Sequence, residues 1–175
     1  MTACITGSID ICAARDGAGY IDGRRILDRS GATLGVEIDR KRMIPDQLFG
    51  IDYGGRYRFY CVEADRGTEP KSSAAARKSY RSSIEDYRQF IGQGLYKEHY
   101  GLTAGMLLLY VFSNRSNEHA FLEAVEEQIG GGAAYILTQT IDGFDGCFRP
   151  PELLCQLWKG GWLRAGRGDF FIDRP

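Results

Sequence analysis

Histidine is scarce in this chain, with His99 and His119 the two among 175 residues, and net charge is nearly absent: 22 Lys+Arg against 23 Asp+Glu leave a formal −1. A near-neutral chain lacks the global positive field with which strongly basic proteins gather nucleic acid, so any DNA site must be a local patch. The five cysteines, Cys4, Cys12, Cys61, Cys147 and Cys155, are odd in number and scattered, with no CxxC pair. Neither a disulfide framework nor a zinc knot is expected from them, and a reducing, cytoplasmic compartment is the natural home. Long hydrophobic runs are missing too. The strongest, around Met106 to Phe112, falls far short of the roughly 20 residues that cross a bilayer, and no basic leader precedes an apolar stretch. A soluble, untargeted protein is expected. Internal repeats and low-complexity tracts are also absent, which excludes solenoids and linker-like arrays.

What is present suits one domain over 1–175, with 43% apolar and 26% charged residues. The pattern from Ser8 to Arg15 is helical behind a Ser8 cap, and Tyr20 to Leu27 reads as a short ordered turn. Leu34 to Ile38 alternates weakly. Ile44 to Tyr53 and Tyr57 to Val62 are rich in β-favouring residues and flank Gly54-Gly55, which predicts a hairpin. From Lys71 to about Ile91 the period becomes helical, with Tyr80, Ile84, Tyr87 and Phe90/Ile91 on one stripe that reads as a core face. Met106 to Phe112 is a buried strand, Glu118 to Ile129 an amphipathic helix ended by Gly130-Gly131-Gly132, and Ala133 to Thr138 a second buried strand. Residues 143–175, with Pro150-Pro151 and Trp158/Trp162, form a tail that folds back onto the core. The sum is a mixed α/β sandwich whose late strands are joined by a crossover helix.

The hairpin strands also carry the acidic residues that invite a function. Pro45-Asp46 opens one and Glu63-Ala64-Asp65 ends the other. Residues two apart on a strand share a side, so Glu63 and Asp65 can converge with Asp46, and three carboxylates would repel unless protons or a cation neutralised them. Such hard oxygen ligands suit Mg²⁺ or Mn²⁺, which polarises a phosphodiester and lowers the pKa of an attacking water. The same residues also make an ordinary solvated turn, with carboxylates that pair with Arg66 or cap the next helix.

The order αβββαβ, with Pro-Asp on the second strand and an acidic tripeptide on the third, resembles the PD-(D/E)xK, or restriction-endonuclease-like, nuclease fold. More narrowly, Pro45-Asp46, then Val62-Glu63-Ala64-Asp65-Arg66-Gly67-Thr68-Glu69, then Lys78 and Tyr80 is similar to the bacterial plasmid replication-relaxation family. Ser8 to Leu27 and the strand ending Phe112-Ser113-Asn114-Arg115 also look like that family. The resemblance implies a mixed central sheet flanked by helices, a metal site at Asp46, Glu63 and Asp65, and DNA with replication or mobilisation proteins of plasmids or phages as partners. Many relatives carry an upstream winged-helix region, so this chain reads as a short or truncated member.

One departure bears on catalysis. Where the nuclease pattern has a lysine to stabilise charge developing on phosphate, this chain has Asp65. Lys78, on the following helix, is the candidate replacement, although the helical wheel sets it nearly opposite the apolar stripe. Arg40-Lys41-Arg42 and Arg66 lie close in sequence to the acids, and Lys71, Arg77 and Arg81 make the following helix basic. These are the candidate DNA contacts, or else the makeup of solvated surfaces. Two readings follow: a catalytically degenerate nuclease-like protein that binds DNA or a replication partner, and an active Mg²⁺- or Mn²⁺-dependent endonuclease using Asp46, Glu63, Asp65 and Lys78. Self-association is compatible with both.

Overall fold

The computed structural model describes residues 1–66, 73–142 and 152–174, the side chains of 73–78 excepted. Helix α1 (Thr2–Arg15) leads into strand β1 (Gly19–Asp22) and helix α2 (Gly23–Ser30), and then come β2 (Val36–Ile38) and β3 (Lys41–Met43). Next are β4 (Gln47–Asp52), β5 (Tyr57–Asp65) and α3 (Ser73–Tyr87), which runs into a single π turn over Arg88–Gly92. The rest is α4 (Leu95–Tyr100), β6 (Met106–Phe112), α5 (Arg115–Gln128), β7 (Ile136–Thr140), α6 (Gln156–Lys159), β8 (Trp162–Arg164) and β9 (Arg167–Phe170). The fold is mixed α/β: a seven-stranded sheet in the order β1-β4-β5-β6-β7-β8-β9, flanked by helices, with β2 and β3 forming a separate two-stranded sheet.

The hairpin predicted around Gly54-Gly55 is the β4–β5 pair, antiparallel from Gln47↔Val62 to Asp52↔Tyr57. Both glycines take positive φ, and the Asp52 carboxylate accepts the Gly55 N–H at 2.7 Å, so the turn is set by backbone freedom and one side-chain bond. Strands β5, β6 and β7 run parallel, and α3 and α5 are their crossovers. Successive crossovers of one hand moving in one direction lie on the same side of a sheet, and α3 and α5 do so. The predicted stripe on α3 is buried: Tyr80, Ile84, Tyr87, Phe90 and Ile91 pack with Phe59, Cys61, Leu108 and Phe112. The π turn widens the helix there enough for both Phe90 and Ile91 to face inward.

The opposite side of the sheet is covered by α1 and α6. Ile5, Ile9, Cys12 and Ala13 meet Phe49, Tyr60, Val62, Leu109, Leu157, Trp158 and Trp162. Helix α1 begins at Thr2, earlier than expected, and Ser8 is not its cap. Ser8 is buried in mid-helix, where its hydroxyl accepts the Leu154 N–H at 3.1 Å. The segment read as a turn at Tyr20 to Leu27 is edge strand β1 and the start of α2, capped by Asp22, which accepts the Arg24 N–H at 2.7 Å. The C-terminal residues extend the sheet, β8 pairing with β7 at Thr138↔Leu163. Both tryptophans are buried, and the Trp158 indole donates to Asp16 at 2.7 Å.

One expectation is corrected outright. Cys12 on α1 and Cys155 at the N-cap of α6 are joined as a disulfide across a sequence separation of 143. Their spacing carries no motif because the fold alone brings them together.

Candidate functional site

The acidic residues lie where β5 emerges from under α3. Alternation along β5 turns Phe59, Cys61, Glu63 and Asp65 toward α3. Each meets a tyrosine of the α3 stripe. The Tyr87 hydroxyl donates to Glu63 Oε1 at 2.5 Å, and the Tyr80 hydroxyl to Asp65 Oδ2 at 2.6 Å. Seven residues apart on the helix, the tyrosines match acids two apart on the strand, so one helical face serves both as core stripe and as carboxylate clamp. Sequence reasoning read them as core alone; the visible signal was two hydroxyls on a stripe facing an acidic strand.

Asp46 precedes β4, exposed, and its Oδ2 accepts the Ala64 N–H at 3.0 Å. This bond pins it against β5 between the other two acids in sequence. Burial pushes the Glu63 carboxyl up to about 7; the Tyr87 hydrogen bond works against this, and the nearby charge of Asp46 adds to it. Asp46 and Glu63 are therefore electrostatically coupled. Tyr110, paired with Glu63 across the parallel β5–β6 ladder, is held well above its ordinary pKa by burial and by the charges of Glu63 and Asp65. Asp65 is buried.

Among the described residues no three of His, Cys, Asp and Glu converge to hold a metal ion. Mg²⁺, however, is commonly bound by one or two carboxylates, with phosphate oxygens and water completing its shell. The Asp46–Glu63 pair fits that use, a hard-oxygen donor set whose mutual repulsion a cation would relieve, and it does not make a self-sufficient protein cage. Asp65 is engaged by Tyr80.

Beside Glu63 opens a groove of about 580 Å³ between the β2–β3 hairpin and α3, lined by Lys41, Arg42, Ile44, Ser82, Asp86 and Tyr87 among others. The hairpin turns through Asp39 and Arg40, both non-glycine residues at positive φ (48° and 64°). Such residues cost free energy in this region, and anchoring contacts hold them there: Gln89 donates to Asp39 at 2.9 Å, and Lys41 bonds Asp86 at 2.5 Å and Ser82 at 2.9 Å. Of the predicted DNA contacts, Lys41 and Arg42 line the groove, Arg40 sits exposed at the hairpin tip, and Arg66 is exposed just past β5. Arg81 is paired with Glu127 at 3.0 Å. Lys71 lies outside the described residues; Arg77 and Lys78 lie on α3, their side chains outside the described set.

No protein-family model matches this sequence, and no curated protein matches it. Among solved structures it is similar to an fdxN element excision controlling factor protein from Anabaena variabilis, at 11% identity and a TM-score of 0.40, over 79% of this chain and 90% of that one. A similarity of that size bears on neither mechanism nor partner. No helix among the described residues is long and apolar enough to cross a membrane.

Proposed function

We propose that this chain is a nuclease-like DNA-binding protein of restriction-endonuclease-like descent, serving plasmid or phage replication or mobilisation, that holds a phosphodiester backbone beside Asp46 and Glu63 without cutting it. The observation that carries this reading is Asp65. In the position where hydrolysis calls for a cation, a carboxylate stands instead, hydrogen-bonded by Tyr80. A negative charge there opposes the charge building on a phosphate in flight, so the residue identity removes the electrostatic assistance. Mg²⁺ or Mn²⁺ on Asp46 and Glu63 would supply charge neutralisation for the bound phosphate. The chain's own residues position it: Tyr87 orients Glu63, and the Ala64 N–H orients Asp46.

The second reading, an active endonuclease, is favoured by one observation, the burial of Glu63, which with the charge of nearby Asp46 raises its carboxyl to about 7. The two separate in one experiment. Supercoiled plasmid is incubated with the wild type, Asp46→Ala and Lys78→Ala across Mg²⁺ and Mn²⁺, beside fluorescence anisotropy of labelled DNA with and without chelator. The degenerate reading expects DNA binding that persists in chelator, and intact supercoils throughout. Nicking by the wild type that disappears in Asp46→Ala establishes the enzyme instead; nicking by all three alike marks a contaminant and leaves the anisotropy result to decide binding.

A further inference from the structure

Among the described side chains, the groove beside Glu63 has two acids and two cations on its walls, and they are not equivalent. Lys41 is consumed: its ammonium is held by Asp86, itself mostly buried, and by Ser82. Arg42, one residue on and also exposed, makes no ion pair among the described residues, although Glu37 stands opposite it in the β2–β3 register. With Lys41 and Asp86 cancelling each other, Arg42 is, among the described side chains, the cation left to oppose Glu63 in the groove. Arg81 is paired with Glu127, while Arg40 and Arg66 do not line it.

The seat of Arg42 is specific. A Cβ on Gly35 would stand 2.7 Å from Arg42 Nε, 3.1 Å from Ile44 Cγ1 and 3.2 Å from Arg42 Nη2, so the guanidinium would have to shift. Gly35 has no positive φ, so its backbone does not require glycine; what the missing side chain provides is room for the guanidinium to lie flat on the chain. The planar guanidinium can offer two parallel N–H···O bonds to one phosphate, which a lysine cannot reproduce.

We propose that Arg42, set against Gly35, is the phosphate-recognising residue of this groove, supplying from the β2–β3 hairpin a positive charge beside Glu63. The proposal rests on the DNA-binding reading above and deepens it. Its ligand is the phosphodiester backbone, read without regard to base.

The test measures anisotropy of a fluorescein-labelled mixed-sequence duplex of about 20 base pairs between about 50 and about 200 mM salt, for wild type, Arg42→Gln, Arg42→Lys, Lys41→Gln, Gly35→Ala and the Gly35→Ala/Arg42→Gln pair. Arg42→Gln is expected to weaken binding about tenfold at the lower salt and to flatten the salt dependence by about one phosphate's worth, a slope change of about 0.9. Arg42→Lys should recover only part of the affinity. Gly35→Ala should weaken binding severalfold with an unchanged melting temperature, and add nothing in the Arg42→Gln background, because it acts through the guanidinium. Wild-type binding with an unaltered slope in Arg42→Gln overturns the inference and leaves the DNA reading standing, as does an equal loss in Lys41→Gln. A wild type that does not bind DNA overturns both.

Discussion

Strand β5 gives Tyr60, Val62 and Ala64 to the α1 side of the sheet, and Phe59, Cys61, Glu63 and Asp65 to the α3 side. On the α1 side, the buried aromatic polar groups have fixed partners: Tyr53 and Tyr60 share a hydroxyl–hydroxyl bond at 2.8 Å, Tyr53 donates to the Ile172 carbonyl at 2.6 Å, and the Trp162 indole donates to the Leu157 carbonyl at 3.1 Å, while Arg58 Nη1, Gln139 Oε1 and Asp173 Oδ1 are buried there without a hydrogen-bond partner. The α3 side buries Asp65, Glu118 and Thr138, and Glu118 keeps one carboxylate oxygen without a hydrogen-bond partner even though Thr140 donates to the other at 2.6 Å. One side coheres chiefly through aromatic packing. The other tolerates charge in a place where charge is costly, as folds do where chemistry or recognition is needed.

The contrast can be broken first at its cohesive side. Trp162→Ala removes a fully buried indole between the sheet and α6, and should cost about 3–5 kcal/mol in urea unfolding. A loss under about 1 kcal/mol would mean that the C-terminal strands contribute little to the fold. Next, Cys12→Ser should cost about 2–4 kcal/mol; reductant should lower the wild type by a similar amount and leave the variant unmoved.

The smallest effect sharpens the polar side. Glu63 has a folded-state pKa near 7 against an ordinary 4.5, so the folded state holds its proton more tightly than the unfolded one does. Its contribution is therefore fully present below about pH 4.5 and is lost as pH rises through about 7, a decline of about 1–3 kcal/mol. Glu63→Gln should remove that decline, as read from urea midpoints across the same window. An identical slope in wild type and variant would show that Glu63 titrates as an ordinary surface acid.

Much of the frame was legible where the signal is local. The β4–β5 hairpin, β6 and the buried stripe of α3 each follow from patterns that need no distant partner. The β2–β3 hairpin escaped because its strands are three residues long and its turn uses Asp39 and Arg40, where the usual glycine signal is missing. Helix α4, six residues with Tyr96 and Tyr100 buried, is too short to establish a period. The strand-forming tail and the disulfide depend on contacts between distant parts of the chain. In the site, spacing alone put Glu63 and Asp65 on a common side. It could not show that Tyr80 would engage Asp65, nor that Asp46 would spend one oxygen on the Ala64 N–H.

Because Cys12 and Cys155 are covalently joined, the residues between them form a closed ring. A protease that nicks this ring once, at the strained hairpin tip for instance, opens a loop instead of parting two fragments. The nicked molecule would keep its full mass on a non-reducing gel and fall into pieces only after thiol is added.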